Sequence, residues 1–261
     1  MDNFQFKKSL GQNFIKDDNI IAKIVNYSDI DKDTLVIEIG PGSGALSKKI
    51  VPISGYTILY EIDERLREKL DDVLKENTNY EIVFGDFLEQ DISSIRNKFS
   101  NYKKVYVVAN LPYYITTPII IKLLKEIYPD KIVIMVQDEV ADRLCSQCGS
   151  RDYAMISVLL GSKYNIKKLF KVSRSCFVPI PKVDSAVIMM NKCDKLGNVS
   201  FLKFEKLIKD AFRFKRKSIK NNLKEYDLTV ISIILDKYGF SLQSRAEELP
   251  ISIFIEICSN L

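Results

Sequence analysis

Asn110-Leu111-Pro112-Tyr113 follow directly on the apolar run Val105–Ala109, so an amide, a proline and an aromatic stand where a buried strand ends. That combination suits one task, holding the exocyclic amine of a flat base toward an electrophilic methyl donor. The N6 amine of adenine is a weak nucleophile because its lone pair is delocalised into the ring. Acceptors for the amine protons let the nitrogen rehybridise, and a π-surface clamps the ring. Asn110 Oδ1 and the backbone carbonyl next to Pro112 are the candidate acceptors, and Tyr113 is the candidate clamp. A bland account stands beside this one: a strand end, a proline turn and a tyrosine plugging it.

A donor site is suggested by Val36-Ile37-Glu38-Ile39-Gly40-Pro41-Gly42-Ser43-Gly44, a strand running into a glycine turn and then a helix. The spacing is G-x-G-x-G rather than the G-x-G-x-x-G of dinucleotide binders, which bring a pyrophosphate to a helix N-terminus. S-adenosylmethionine carries no phosphate but needs backbone close to its adenosyl and methionine parts. The tight turn at Gly40 and Gly42, with Glu38 two residues ahead, suits it better. Tyr60-Glu61-Ile62-Asp63 ends the next strand, where a carboxylate can accept both ribose hydroxyls. Gly85-Asp86-Phe87 ends the third, where Asp86 can accept from an adenine amine. Any one of these acids serves equally well as a helix cap. At the ends of four successive strands, Gly40, Glu61, Asp86 and Asn110 line one crevice.

The elements that must position these residues alternate, as βαβ units do. Strands are predicted at Leu35–Ile39, Thr57–Tyr60, Glu81–Phe84, Val105–Ala109, Ile132–Val136, Lys168–Val172 and Ala186–Asn191. Helical patterns include Asp17–Asn26, Glu64–Lys75 and Pro118–Ile127. Near-continuous apolar strands fit a mostly parallel sheet buried on both faces. The expected fold class is α/β, a Rossmann-like seven-stranded methyltransferase sheet with a small all-helical C-terminal domain. The domain boundary is placed at 1–194 and 195–261, with residues 1–16 a leader contributing to the site. In the tail, Phe201–Leu223, Thr229–Tyr238 and Ile251–Ser259 read as three helices, and Ser244 with Glu247 resembles a capping box cut short by Pro250.

Composition narrows the chemistry. The 261 residues include no histidine and no tryptophan, which rules out imidazole bases, Ser-His and Cys-His triads and His-ligated zinc. Carboxylates, amides, hydroxyls, lysines or positioning must do the work. The net charge of +5 is uneven: residues 1–194 hold 27 Lys and Arg against 26 Asp and Glu, and residues 195–261 hold 12 against 8. The surplus in the tail points to an anionic partner there. Five irregularly placed cysteines fit a reducing compartment, and Cys145-Ser146-Gln147-Cys148 alone is a poor metal site. The N-terminal stretch lacks an apolar signal core and no eighteen-residue apolar run exists, so a cytoplasmic chain without a membrane segment is expected. A monomer is expected as well.

On these motifs the sequence resembles the rRNA adenine N6,N6-dimethyltransferases, and within them the enzymes of the small ribosomal subunit, over nearly its whole length. The segments that carry the resemblance are Lys8–Ile15 (KSLGQNFI), Glu38–Ser47 (EIGPGSGALS), Asn110–Ile119 (NLPYYITTPI) and Phe177–Val187 (FVPIPKVDSAV). The resemblance implies that Asn13, Ile15, Gly40, Glu61, Asp86 and Asn110 contact S-adenosyl-L-methionine, with Gly42, Ile62 and Phe87 beside them. It implies S-adenosylhomocysteine as product, no metal, and Asn110, Leu111, Pro112, Tyr113 and Phe177 as the catalytic set, Tyr113 and Phe177 sandwiching the adenine. The partner implied is 16S rRNA in an immature small subunit, with two adjacent adenosines near the 3′ end each methylated twice. Arg213, Lys215, Arg216, Lys217, Lys220 and Lys224, interleaved with Phe212 and Phe214, are the candidate RNA-binding cations and resemble a basic C-terminal helix of the family.

Three alternatives share features with this chain. A macrolide-resistance methyltransferase of 23S rRNA shares the donor turn and the Asn-x-Pro-Tyr core. A non-enzymatic ribosome assembly factor would show a decayed site, whereas Gly40, Glu61, Asp86, Asn110 and Tyr113 are intact. A DNA adenine methyltransferase would need a target-recognition domain, which is not evident. Two departures from the family pattern are the cysteines at 145 and 148 and the wording of the basic run FRFKRK.

Overall fold

The computed structural model describes residues 12–261; the leader residues before them, with Lys8–Gly11 of the first signature, lie outside the described residues. Nine strands are described: β1 Phe14–Ile15, β2 Thr34–Ile39, β3 Tyr56–Glu61, β4 Tyr80–Phe84, β5 Lys104–Asn110, β6 Lys131–Gln137, β7 Tyr164–Val172, β8 Phe177–Val178 and β9 Ser185–Lys192. Seven of them form one sheet in the order β4-β3-β2-β5-β6-β9-β7, and β1 pairs with β8 apart from it. β2 runs parallel to both β3 and β5, β3 to β4 and β5 to β6, while β9 returns antiparallel to β6. Strand order reverses between β2 and β5, and at such a point the connections diverge and leave a crevice beyond the carboxyl ends.

The central strands match their sequence. Every residue of β2 is buried, Thr34 and Glu38 included, as expected of a parallel strand covered on both faces. The helix Asp18–Ser28 starts where Asp17 Oδ1 accepts from Asn19 N (2.9 Å) and Ile20 N (3.3 Å), satisfying amides that have no partner in the first turn. The predicted Glu64–Lys75 helix begins instead as a 3-10 turn, Glu64–Leu66, capped by Asp63, and continues as the helix Arg67–Leu74. The helix Thr116–Glu126 tolerates Pro118 because its first turn lacks acceptors for that amide in any case.

The chain divides into two compact units, and the division differs from a cut at residue 194. One unit comprises residues up to Ala141 together with Lys167–Asn191; the other comprises Asp142–Ile166 with Lys192–Leu261. The reason lies in the helix Met155–Lys163, where Ile156, Val158, Leu159 and Leu160 are all buried and the apolar character runs right round. Such a helix needs cover on every side. Within its unit, Gly161 sits so close to Ile251 that a Cβ would lie 2.5 Å from Ile251 Cδ1. Tyr153 OH donates to Leu249 O at 3.3 Å, and its ring meets Phe212 edge-on at 6.1 Å.

Two predictions for the tail are corrected. Phe201–Leu223 is not one helix but two, Phe201–Ala211 and Ile219–Asn222, joined by a turn that carries the basic run. Asn222 fixes the turn: its Nδ2 donates to Ala211 O at 2.7 Å, with Phe214 O and Lys217 O also in reach, and its Oδ1 accepts from Phe214 N at 3.2 Å. A side chain that satisfies the carbonyls of a helix end competes with helix continuation. The Ser244–Glu247 capping box does not form, since Ser244 Oγ accepts from Ser241 N and the turn Ala246–Glu248 starts without a side-chain cap. No helix among the described residues is long and apolar enough to cross a membrane.

Candidate active site

A cleft opens beyond the carboxyl ends of β2, β3 and β5. Counted out to open solvent it holds about 500 Å³; Gln12, Asn13, Gly40, Gly42, Glu61, Ile62 and Asn110–Tyr113 are among its lining. A second recess beside it, lined by Ile15, Glu38, Gly40, Gly42 and Asn110 among others, continues under the glycine turn.

Gly40 leaves β2 at φ 69°, a left-handed conformation costing roughly 1–2 kcal/mol for a residue with a Cβ. A Cβ there would meet nothing closer than Asn110 O at 3.9 Å and Pro112 Cδ at 4.0 Å, so it would project into free space in the cleft. Gly42 (φ 57°) is held differently: its N–H donates to Glu61 Oε2 at 2.9 Å. Glu61 Oε1 accepts from Asp63 N at 2.9 Å. The carboxyl at the end of β3 is thus locked in place while 4% exposed, and each oxygen retains a further lone pair. Burial raises its pKa, against the lowering effect of those N–H donors.

Two further acids lie nearby, Asp63 and the Glu38 that precedes the glycine turn. Asp63, next but one to Glu61, is a structural residue. Arg65 grips it with Nε on Oδ1 at 2.8 Å and Nη2 on Oδ2 at 2.6 Å, Gln12 Nε2 adds 2.8 Å, and Arg65 foremost holds its pKa down at about 2. Glu38, beneath Gly40, is 1% exposed and is pushed up to about 8 by burial. Its Oε2 lies buried without an aligned hydrogen-bond partner, as does Ser47 Oγ.

Asn110 closes the other side. Its Nδ2 donates to Asn13 O at 2.9 Å. Because that partner is a carbonyl, only the NH₂ end of the amide can face it, and Oδ1 is left as the acceptor. Pro112 O is already taken by Ile115 N and Thr116 Oγ1, both at 3.3 Å, whereas Leu111, its neighbour, lines the cleft. Tyr113 lines the cleft, half-buried, with its OH 2.7 Å from Ser185 Oγ. Burial raises the phenol's pKa, so it stays neutral. Ser185 was missed from sequence; within PKVDSAV nothing marks it except its place at the start of β9.

Two expected members of the site stand elsewhere. Phe177 is fully buried in a core cluster with Ile15, Ile24, Val36 and Val108, and Ile15 is its register partner across β1–β8. Phe177 thus stands in the core rather than at the cleft wall opposite Tyr113, with its ring under full apolar cover. Phe87 is likewise a core residue, set edge-on to Tyr60 at 5.1 Å. Asp86 ends β4 as expected and uses Oδ1 to cap the turn Phe87–Glu89 through Leu88 N at 2.8 Å. Phe177 and Phe87 do not line the cleft.

In the other unit, Arg213, Lys215, Arg216, Lys217, Lys220 and Lys224 are all exposed, the first four on the turn and not on a helix. Lys224 lies 3.6 Å from Glu225. Of the two interleaved aromatics only Phe214 faces solvent, under Arg213 at 5.4 Å, whereas Phe212 packs on Tyr153 and Phe254.

Comparison with known proteins identifies the family. The family model of ribosomal RNA adenine dimethylase matches residues 3–258. The ribosomal RNA small subunit methyltransferase A of Staphylococcus aureus is 39% identical over 264 residues, covering 97% of this chain and 89% of that protein. Two solved structures share the fold at 23% identity. A dimethyladenosine transferase from Plasmodium falciparum gives a TM-score of 0.80 over 94% of this chain and 95% of its own. The 23S rRNA methyltransferase ErmE gives 0.75 over 95% and 99%.

Proposed function

The chain belongs to the ribosomal RNA adenine dimethylase family, and we propose that it moves methyl groups from S-adenosylmethionine to the N6 amines of adenosines in small-subunit rRNA. The observation that carries the acceptor half is the fixed amide of Asn110, whose Nδ2 is spent on Asn13 O. Its Oδ1 and the Leu111 carbonyl accept the two amine protons, withdrawing the nitrogen lone pair from conjugation with the ring and localising it toward the methyl group. Tyr113 stacks on the base, its ring held by Ser185. Phe177 supports the β1–β8 pair from the core.

The residues present fit S-adenosylmethionine. Gly40 leaves space where any side chain would intrude, Glu61 presents oriented carboxylate lone pairs to a ribose diol, and Ile62, 41% exposed, offers an apolar face to a purine. Asp86 is assigned the adenine amine of the donor. When bound, the donor supplies a methyl group on a sulfonium, already activated for displacement. The chain then needs no strong base, because an alkylated amine releases its proton to solvent. Holding amine and methyl in line supplies most of the acceleration, about 7–11 kcal/mol in well-oriented systems.

The choice of small-subunit RNA is supported by the 39% identity to the Staphylococcus aureus enzyme, whereas the likeness to ErmE is one of fold. The test is incubation with labelled S-adenosylmethionine and unmethylated small or large subunits, followed by mapping of the modified nucleotides. Two neighbouring dimethylated adenosines near the 3′ end of 16S rRNA are expected. Label confined to large-subunit RNA would overturn the assignment.

A further inference from the structure

The geometry points to a phosphate-binding site on the catalytic unit itself: a depression framed by Arg174 and Lys182 takes a backbone phosphodiester of the RNA strand beside the adenosine held at Tyr113. It deepens the rRNA assignment above and rests on it. The depression, of about 390 Å³, lies past the carboxyl end of β6, with Gln137, Asp138, Val183 and Asp184 also in its lining. The C-terminal basic turn has no part in it.

Its charges are sorted by structure. Asp138 is answered by Lys168 at 2.5 Å and Lys171 at 2.7 Å. Asp184 accepts from Arg174 N at 3.0 Å, and its carbonyl accepts from Asp138 N at 3.0 Å. Glu139, the third acid, has an interaction of its own. Arg174 donates one guanidinium N–H to Lys182 O at 3.3 Å, which orients the fork and leaves its other donors available. Neither Arg174 nor Lys182 has an acidic partner among the described residues, and both are exposed. An exposed guanidinium and ammonium at one concavity, neither in an ion pair among the described residues although the Asp184 carboxylate shares the lining, suit a phosphate, bidentate on the first and point-like on the second.

Position argues for RNA. Gln137 and Ser185 are register partners across β6 and β9, and Ser185 holds the Tyr113 hydroxyl at 2.7 Å. Strand neighbours lie about 5 Å apart, so the depression is within a nucleotide or so of the clamp. The same loop exposes Ile180 (65%) and Val183 (45%), apolar surface that a ribose or unstacked base can cover. Phosphate contacts here would fix the strand's register while Tyr113 takes the base.

The experiment measures binding of the full chain to unmethylated small subunits and to protein-free 16S rRNA between 50 and 200 mM salt. It compares wild type, Arg174→Gln, Lys182→Gln and the double variant. The slope of log affinity against log salt is expected to shrink by about 1 per cation removed, with roughly tenfold weaker binding for the double variant. The swap Arg174→Lys with Lys182→Arg should keep most of the slope. S-adenosylmethionine affinity, read by calorimetry, should match wild type and so report an intact fold. Wild-type slope and affinity in the double variant would overturn the site. A loss seen with subunits but absent with protein-free rRNA would overturn it in favour of a ribosomal-protein contact. Because the readout is binding, absence of methyl transfer by wild type would count against the function alone.

Discussion

The cleft at the strand ends and the basic turn at 212–217 both hold polar groups that the sequence marks for function, yet they hold them in opposite ways. In the cleft, Glu61 is almost wholly buried and takes N–H donors from Gly42 and Asp63, and Asn110 is pinned by a residue 97 positions earlier. In the turn, the cations stand in solvent and only the backbone is pinned, by Asn222. The difference fits the roles proposed for each. Rehybridising one amine needs acceptors in fixed directions, whereas a phosphate chain needs charge that can adjust.

Asn110→Ala attacks the fixed side, and the largest loss is expected there: a fall in kcat of about 10²–10³, with S-adenosylmethionine binding largely kept. Near-normal single-turnover rates would show that the amide is no acceptor. On the adjustable side, replacing Lys215, Arg216 and Lys217 by Gln should weaken rRNA binding by roughly 10–100-fold and flatten its salt dependence by about 3 in slope. An unchanged salt titration would remove the turn from the interface. Ser185→Ala tests whether the clamp depends on its anchor. The expected effect is a several-fold rise in KM for RNA with little change in affinity for the donor, at a cost of about 1 kcal/mol for the lost hydrogen bond.

The smallest effect concerns stability alone. Glu38 has a folded pKa of about 8 against an ordinary 4.5, so the folded chain keeps a proton that the unfolded chain releases. Stability therefore falls as pH rises from 4.5 through 8. Glu38→Gln should bring Tm close to wild type at pH 5 and a few degrees above it at pH 9. Parallel melting curves for the two proteins across that range would refute the buried protonated acid.

Much of the fold was legible because parallel strands buried on both faces leave apolar runs that stand out: β2 to β6, β7 and β9 all overlap their predicted spans. The β1–β8 pair was not legible, since two residues per strand carry no periodicity. For the same reason Phe177 reads as a site residue but stands in the core. Phe201–Leu223 keeps helical spacing across its break, and only the Asn222 side chain ends the first helix. In the site, Gly40, Gly42, Glu61, Asn110 and Tyr113 could be named from type and position. Asp63 and Glu38 look equally acidic in sequence, and Ser185 looks like an ordinary strand residue. Their roles depend on Arg65, on burial and on the Tyr113 hydroxyl, each a partner or environment supplied by folding.

By itself the sequence determined the chemistry on offer: no imidazole, a glycine turn with acids at successive strand ends, an amide and a tyrosine after a buried strand, and a cationic tail. These are properties of residue type and of short-range order, which local chain stiffness and strand burial enforce. The tertiary structure decided which of those groups are free to act. It spent Asn110 Nδ2 on Asn13 and so aimed Oδ1, sank Phe177 and Phe87 into the core, and left Arg174 and Lys182 exposed with no ion pair among the described residues. Such outcomes turn on which lone pairs and donors remain after long-range partners are satisfied, and no local pattern records that remainder.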